Sequence, residues 1–401
     1  MRITTPELFN RGLNGISDLQ QSIFKYQQQI SSGKRLLQPS DDPVAAAQEL
    51  TINERTASIE QHARNSNLAG LRMDEQQNAI SSSMNALQRI RDMLVASRNG
   101  SLTPADLKSN ASEVRQRLSE LVSLANTRNA SGEYIFAGSA VTTQAYSMDV
   151  NLNVSYNGNQ TTREIPIAEG RTITEGFAGN QVYGDIRNGN GTFVTALGAT
   201  NTGTGRLVSD SVVNPAAYVA DNFSINFTAP NTFDVVDTTT GATVLAAQTY
   251  VDGQAITFNG ISVSITGSPA ATDTFTLTPS QNQSVFRTVK NAITTLETTL
   301  FTDAARAAWA FAMDRNLADV DQAMENLNAV RTSLGARQNA LDAQSQTNDD
   351  LKTQLATIKS GLEDTDITSA VSKLSQQTNA LNAAQAAFVR VQGLSLFNYL
   401  R

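Results

Sequence analysis

Residue types able to do covalent or metal chemistry are scarce in this sequence, which holds one histidine, His62, and no cysteine. Without thiols there is no thiolate nucleophile, disulfide or cysteine-ligated zinc, and a lone imidazole leaves little for metal or acid–base sites. His62 has no second histidine four residues away, so it reads as a solvated or packed helix residue. Ser32-Gly33-Lys34-Arg35 imitates the tail of a phosphate-binding loop, yet the upstream glycine position holds Gln28 and the hydroxyl position holds Arg35. Asp349 and Asp350 point to different sides of a helix, because only residues three or four apart share a face. The glycines between Gly198 and Gly205 do not link a strand to a helix and read as loop. The expectation is a protein with no catalytic, cofactor-binding or metal site, and so not an enzyme.

The elements that hold these residues follow from composition. The chain has 401 residues, and 30 Lys plus Arg against 37 Asp plus Glu leave a net charge of -7, which argues against a sequence-independent grip on nucleic acid. No stretch approaches the roughly 18 consecutive apolar residues of a membrane span, so no membrane insertion is expected. MRITTPELFNRGLNG lacks the basic start and apolar run of a cleaved secretory signal. The expectation is a protein that stays in the cytoplasm or leaves by a signal-independent route.

Residues 141 to 283 contain four basic and eleven acidic residues, so this segment carries the whole net charge and the flanks balance at 26 against 26. It also holds 14 of the 24 glycines and half of the 24 aromatics, whereas all seven lysines lie in the flanks. Val150, Leu152, Val154 and Tyr156 alternate with polar residues before Asn157-Gly158, which predicts a half-buried strand and a turn. Alternation returns in Phe223, Ile225, Phe227, and again in Ile256, Phe258, Ile261, Val263 and Ile265 around Asn259-Gly260, a hairpin signal. Asp273 to Leu277 adds a further short strand. The segment reads as one antiparallel β domain with its own aromatic core.

The flanks follow a helical period. Ile16, Leu19, Ile23, Tyr26 and Ile30 recur at spacings of three and four, an a/d seam that starts after Thr5-Pro6 and ends at Gly33. Asp42-Pro43 opens a second helix whose seam runs through Ile52, Ile59, Met73, Ile80, Met84, Leu87, Ile90 and Leu94 towards Ser97. At 1.5 Å per residue it would be on the order of 80 Å long, a rod. Thr103, Pro104 and Asp106 cap a third helix, with Leu107, Ala111, Val114, Leu118, Leu121 and Ala125 along one side. Residues 284 to 401 contain no proline. There the seams are Phe286, Val289, Ile293, Leu296 and Leu300, then Val320, Leu327, Leu334 and Leu341 at intervals of seven, extended by Leu351, Leu355, Ile358 and Leu362. Asp364-Thr365-Asp366 restarts a last helix bearing Val371, Leu374, Leu381, Phe388, Val391 and Leu394.

The fold expected is α+β: an elongated, multi-helix coiled-coil rod formed by both chain ends, with an inserted antiparallel β domain. Its parts are 1–40 plus 366–401, a terminal coiled-coil assembly domain; 41–140 plus 284–365, a helical rod; and 141–283, the outer β domain. A lone terminal helix with one narrow seam and many glutamines is marginal by itself. Both ends therefore read as built to fold against partners, as in a polymer subunit whose termini order on assembly.

Ile30-Ser-Ser-Gly-Lys-Arg35 with Ser40-Asp-Asp-Pro43, then Ser333-Leu-Gly-Ala-Arg337 with Asn339 and Leu341, resemble the two ends of bacterial flagellins. They occur in the right order at opposite ends of the chain. The motif positions carried by this resemblance are Gly33, Lys34, Arg35, Asp41, Asp42, Pro43, Leu334, Gly335 and Arg337. Within the family, Ser131 to Ser139 and Val391 to Leu400 look like the members that join hook to filament. The resemblance implies a subunit exported unfolded and without a cleaved signal to the extracellular flagellum. It also implies assembly with itself in a ring or helical array through Ile16, Leu19, Ile23, Tyr26, Ile30, Val371, Leu374, Leu381, Phe388, Val391 and Leu394. Its other implied partners are a neighbouring hook-associated protein, filament flagellin and an export chaperone. A filament flagellin, or a coiled-coil surface adhesin displaying the β domain, are the alternatives; the β insert matches no motif of the family.

Overall fold

The computed structural model describes residues 5–98, 102–298 and 302–397. Its long helices are α1 (Thr5–Ser32), α2 (Pro43–Ser97), α3 (Pro104–Ala125), α4 (Val285–Leu296), α5 (Asp303–Glu363) and α6 (Ile367–Phe397). Their boundaries fall where the chain satisfies free helix-end groups. Gly33 stops α1 in the left-handed region at φ 70. Asp42 starts α2 by accepting from the Ala45 amide at 3.1 Å. Thr103 and Asp106 form a reciprocal capping box on α3. Asp366 starts α6 through the Ser369 amide at 3.2 Å.

The chain divides into two compact units, Met1–Arg64 with Ala343–Arg401, and Asn65–Asp342. In the second unit, the seams of α2, α3, α4 and α5 converge on one core. Met73, Ile80, Leu87, Leu94, Val114, Leu118, Val289, Val320, Leu327 and Leu334 are all buried there. Leu300, assigned by the sequence to this set, lies outside the described residues.

The middle segment does not keep its aromatic residues in a single core. Ala145, Tyr146, Ile167, Val182, Tyr183 and Ile186 join the helical core, where Tyr146 and Tyr183 pack on Phe286 with ring centroids 4.9 and 5.7 Å apart. The reason is size. The strand pairs here, Tyr146–Met148 with Val154–Tyr156 and Glu164–Ala168 with Arg171–Thr174, are too short to bury a face on their own and lie on the helices instead. The strand expected from Val150 is also shorter. Asp149 accepts from the amides of Asn151 and Asn153, both at 2.8 Å, and Leu152 takes φ 61, so a turn replaces the first half of the alternating run. Asn157-Gly158 is consequently not the hairpin turn.

Beyond residue 192 the chain forms an independent lobe. Its strands are β1 (Phe193–Leu197), β2 (Arg206–Val212), β3 (Phe223–Ala229), β4 (Thr232–Asp237), β5 (Thr243–Thr249), β6 (Ala255–Phe258), β7 (Ile261–Thr266) and β8 (Thr274–Pro279). One antiparallel sheet has the order β5-β4-β3-β8-β1, the other β6-β7-β2. Register places Phe227 opposite Phe233, and Phe275 opposite Ile225, with all four buried. The β6–β7 hairpin turns at Asn259 and Gly260, both at positive φ (43 and 77), as that dipeptide predicts. The glycines from 198 to 205 are loop, closed by Gly203 N–H donating to the buried Asp273 carboxylate at 3.1 Å.

Candidate assembly surface at the chain ends

In the first unit α1 packs along α6. The Phe9 and Phe388 rings pack at a tilt of 42° with centroids 4.9 Å apart, and the Phe388 ring lies so close to Gly12 that an added Cβ would sit 2.9 Å from it. Ile16, Leu19, Ile23, Tyr26 and Ile30 continue the Gly12 stripe at spacings of four and three, and all are half-buried. Leu374, Leu381 and Phe388 are half-buried on α6, whereas Val371 and Val391 are exposed. Leu394 lies on α6, but its side chain is outside the described residues. The structure therefore uses most of the predicted interface seam inside the chain.

What remains open is a second apolar set that the seam analysis did not select. Phe24 is 66% exposed, Val44 69% and Val389 64%, and Phe9, Leu13, Leu50, Leu351, Ile358 and Ile367 are exposed as well. Among the described residues of this unit, the buried apolar side chains are only Ala45, Ile52 and Ala370. Scattered exposed apolar residues are ordinary, but here large ones sit on helices with almost no core beneath them and form an apolar surface left uncovered among the described residues of this unit.

The family-motif residues at the amino side build a clasp within this unit. Past Gly33, Lys34 bridges to Asp364 in antiparallel fashion. The Arg35 amide donates to Glu363 O at 2.6 Å and the Thr365 amide to Gly33 O at 2.9 Å. Lys34 Nζ reaches the Glu363 carboxylate at 3.3 Å, and Arg35 Nη2 donates to Leu362 O at 2.9 Å. Gln29, itself buried, donates to Arg35 O at 2.8 Å. Asp41 accepts from Lys25 at 2.7 Å and from the amides of Leu37 and Gln38; the Lys25 bond, then these amides, hold its carboxyl below the usual range. Asp42 is lowered by the Ala45 amide and then by Arg35, 3.4 Å away. Glu363 is lowered by hydrogen bonding to Glu49 and then by Lys34. Pro43 begins α2, where a missing N–H costs nothing. The basic pair Lys34-Arg35 thus ties the α1–α2 loop to the α5–α6 turn and leaves no room for a phosphate-loop reading.

The carboxyl-side motif sits in the second unit and is structural. Leu334 is fully buried, and a Cβ on Gly335 would meet open space. Arg337 stacks on Phe177 with its guanidinium 4.1 Å from the ring centre and donates to Gly176 O at 3.0 Å. Sequence reasoning missed the residue that completes this joint. Buried Gln76 donates to Ile135 O and Phe177 O at 2.8 and 3.0 Å and accepts from the Phe177 amide at 2.9 Å. Around it Arg72 and Arg163 pair with Glu133 and Glu175. A glutamine in a Gln-rich helix gives no signal of burial, and its partners lie 59 and 101 residues away. His62 rests beside Ser58 on α2, Nε2 to Oγ 3.4 Å. Among the described residues no group of three His, Asp or Glu side chains is arranged to hold a metal, and no helix is long and apolar enough to cross a membrane.

Comparison with known proteins places this architecture. The bacterial flagellin N-terminal helical region matches residues 6–141 and the bacterial flagellin C-terminal helical region residues 317–400. The flagellar hook-associated protein 3 of Escherichia coli (strain K12) is 24% identical over 398 residues, 99% of each chain. The crystal structure of the flagellar junction protein FlgL from Legionella pneumophila superposes with a TM-score of 0.71 at 32% identity, covering 79% of this chain and 99% of that one. FlgL from Xanthomonas campestris gives a TM-score of 0.72 at 30% identity, covering 77% and 99%. Helical ends of flagellin type, a central antiparallel β lobe and alignment along nearly the whole length of these relatives lead to one conclusion: the chain belongs to the bacterial flagellin family, among the hook-associated proteins of type 3.

Proposed function

We propose that this chain is a structural subunit of the junction between flagellar hook and filament, with no catalytic role, and that it assembles with copies of itself through the unit formed by its two ends. The observation that carries the reading is the contrast within that unit: large apolar side chains such as Phe24, Val44 and Val389 stand exposed over almost no core. In a ring or helical array these surfaces would be covered by neighbouring copies, at about 25 cal/mol per Å² of apolar area removed from water. Assembly is assigned to residues 1–40 with 366–401, a supporting helical layer to 41–140 with 284–365, and an outward position to the β lobe. The terminal helices gain most of their stability on assembly, since α1 packs chiefly along α6 and the seams of both stay half-exposed in the free subunit. Passage through the flagellar export apparatus as an unfolded chain, a chaperone that shields the terminal helices beforehand, and end contacts with another hook-associated protein and filament flagellin complete the proposal.

Deleting the gene tests it. Hooks should persist while flagellin escapes into the medium, and a plasmid copy should restore filaments. Normal filaments in the deletion strain would overturn the junction role, and long filaments grown by the purified chain alone would assign it to the filament instead.

A further inference from the structure

We propose that the outer β lobe is hinged at a two-stranded neck and held against α5 by a detachable polar latch centred on Arg315. The lobe, residues 193–279, is a single insertion, so only two segments connect it to the helical layer. Ile186–Arg187 pairs with Asn282–Gln283 at the base of this neck. Above it, the Asn188 amide donates to Gln281 O at 3.1 Å, the Gln281 amide to Asn188 Oδ1 at 2.9 Å, and Ser280 Oγ to Asn188 O at 2.8 Å. Gly189 and Gly191 follow at φ 65 and 84, where residues with side chains are strained. The neck is tied across but not backed by a broad sheet, which is the form of a hinge.

Packing does not fix the lobe. Its core is drawn from its own strands, and the helical layer contributes a single buried residue, Phe311, among those described. Beside Phe311 the lobe and α5 are separated by a cleft of about 210 Å³ lined by Leu207, Asp210, Asp314 and Arg315. Close-packed interiors resist movement, whereas polar and incompletely filled contacts permit it. The attachment is instead a set of directed bonds. Arg315 Nη1 donates to Thr195 O on β1 at 2.6 Å. Asp314 bridges Arg206 of the lobe at 3.5 Å and Arg98 of α2's end at 2.8 Å. One turn on, Asp319 accepts from the Gly189 amide at 2.7 Å and from Gln283 at 3.3 Å, anchoring the neck itself. Removing Arg315 keeps the cross-strand bonds of the neck, loosens its anchorage at Gly189 and frees the lobe to swing.

The absence of cysteine allows a direct test, because two introduced thiols are the only ones. Spin labels at Ala242→Cys on the lobe and Ala329→Cys on α5, both exposed positions, report the distance between them in the full chain. Arg315→Met should widen that distance distribution by about two-fold while the lobe keeps its own melting transition. Arg206→Gln removes only the outer part of the latch, buries nothing new, and should widen it less. Faster exchange of the Gly189 amide in both variants would agree. An unchanged distribution in Arg206→Gln and in folded Arg315→Met would overturn the latch. If Arg315→Met does not fold, the Arg206→Gln distribution and Gly189 exchange decide alone: both unchanged would overturn it.

Discussion

The two compact units follow the same seam grammar and end in different states. In the second unit, residues at spacings of three, four and seven from four helices meet in one place, and Met73, Ile80, Leu118, Val320 and Leu334 lose essentially all contact with water. In the first, the equally regular series from Ile16 to Ile30 lies chiefly along α6 and stays half-exposed. Periodicity says which face is apolar; the number of partners that reach the face decides how much of it is buried. The difference teaches that equal periodicity yields a closed core only where enough helices converge.

The bluntest way to break the comparison is excision. Removing residues 141–283 takes Tyr146, Ile167, Val182 and Tyr183 out of the helical core and should leave an unfolded or molten product. Cutting at the neck and joining Asn188 to Gln281, whose backbones are already hydrogen-bonded, should leave a cooperatively melting helical unit. Circular dichroism melts of both products separate the outcomes. Equal stability of the two would refute the split of the middle segment between two cores.

Next in size is a charge in the seam. Leu334→Asp should unfold the second unit, since an unpaired carboxylate at a fully buried site costs several kcal/mol. Ile23→Asp and Phe24→Asp should cost about 1 kcal/mol or less in the monomer, where both sites touch water. Both should nevertheless block assembly. A large melting shift for Ile23→Asp would mean that the end unit is already cooperatively folded. Phe24→Asp subunits that still restored motility would remove the exposed stripe from the interface.

Replacing Gln76 by Leu tests the joint that sequence reading overlooked. The Ile135 and Phe177 backbone groups would be left unpaired beside a shape that still fits, a loss of about 1–3 kcal/mol seen in urea titration. A neutral effect would show that water replaces the amide.

Acid should separate the units most gently, and with opposite signs. Asp41, Asp42 and Glu363 in the clasp are lowered, so they stabilise the fold above the ordinary carboxylate range, and that gain fades as pH falls through their lowered values, below about 4. Asp210 and Asp319 at the lobe are raised by burial, against the attraction of Arg315. Their ionised forms are disfavoured in the fold, so stability is lost as pH rises through the raised values and regained on acidification. Arg206, Asp314 and Arg98 complete the charges at that contact. Hydrogen exchange followed downward from neutral pH, corrected for intrinsic rates, should show the Gly189 amide gaining protection before the Thr365 amide loses any. A loss of Gly189 protection would contradict the assigned direction.

Helix limits were legible because they are written in adjacent residues: Asp42-Pro43, Thr103 with Asp106, and the pair Asp364 and Asp366 each mark a boundary that the structure keeps. The Asn259-Gly260 hairpin belongs to the same class. What stayed hidden depends on distant partners. Nothing near Tyr146 or Tyr183 reveals that Phe286 awaits them, nor does alternation at Val150 disclose that Asp149 captures two amides. The π-helical turn at Asn180–Gly184, which seats Tyr183 against Ser83 Oγ at 2.9 Å, leaves no periodic trace either. At the chain ends the apolar face of α1 was readable, but its half-buried outcome and the exposed Phe24 were not, since they depend on how few helices arrive.

The clasp between Lys34 and Glu363 has a kinetic meaning. It joins groups 329 positions apart, among the most distant bonds in the chain. Closing a flexible loop of that length costs on the order of 5 kcal/mol before any contact rewards it, and high contact order slows folding. Once the second unit has formed, most of that loop is already gathered, and the closure becomes cheap. The clasp is then expected to close late in folding: a chain that stops short of residue 363 lacks Glu363, the partner of Lys34, and cannot fasten it.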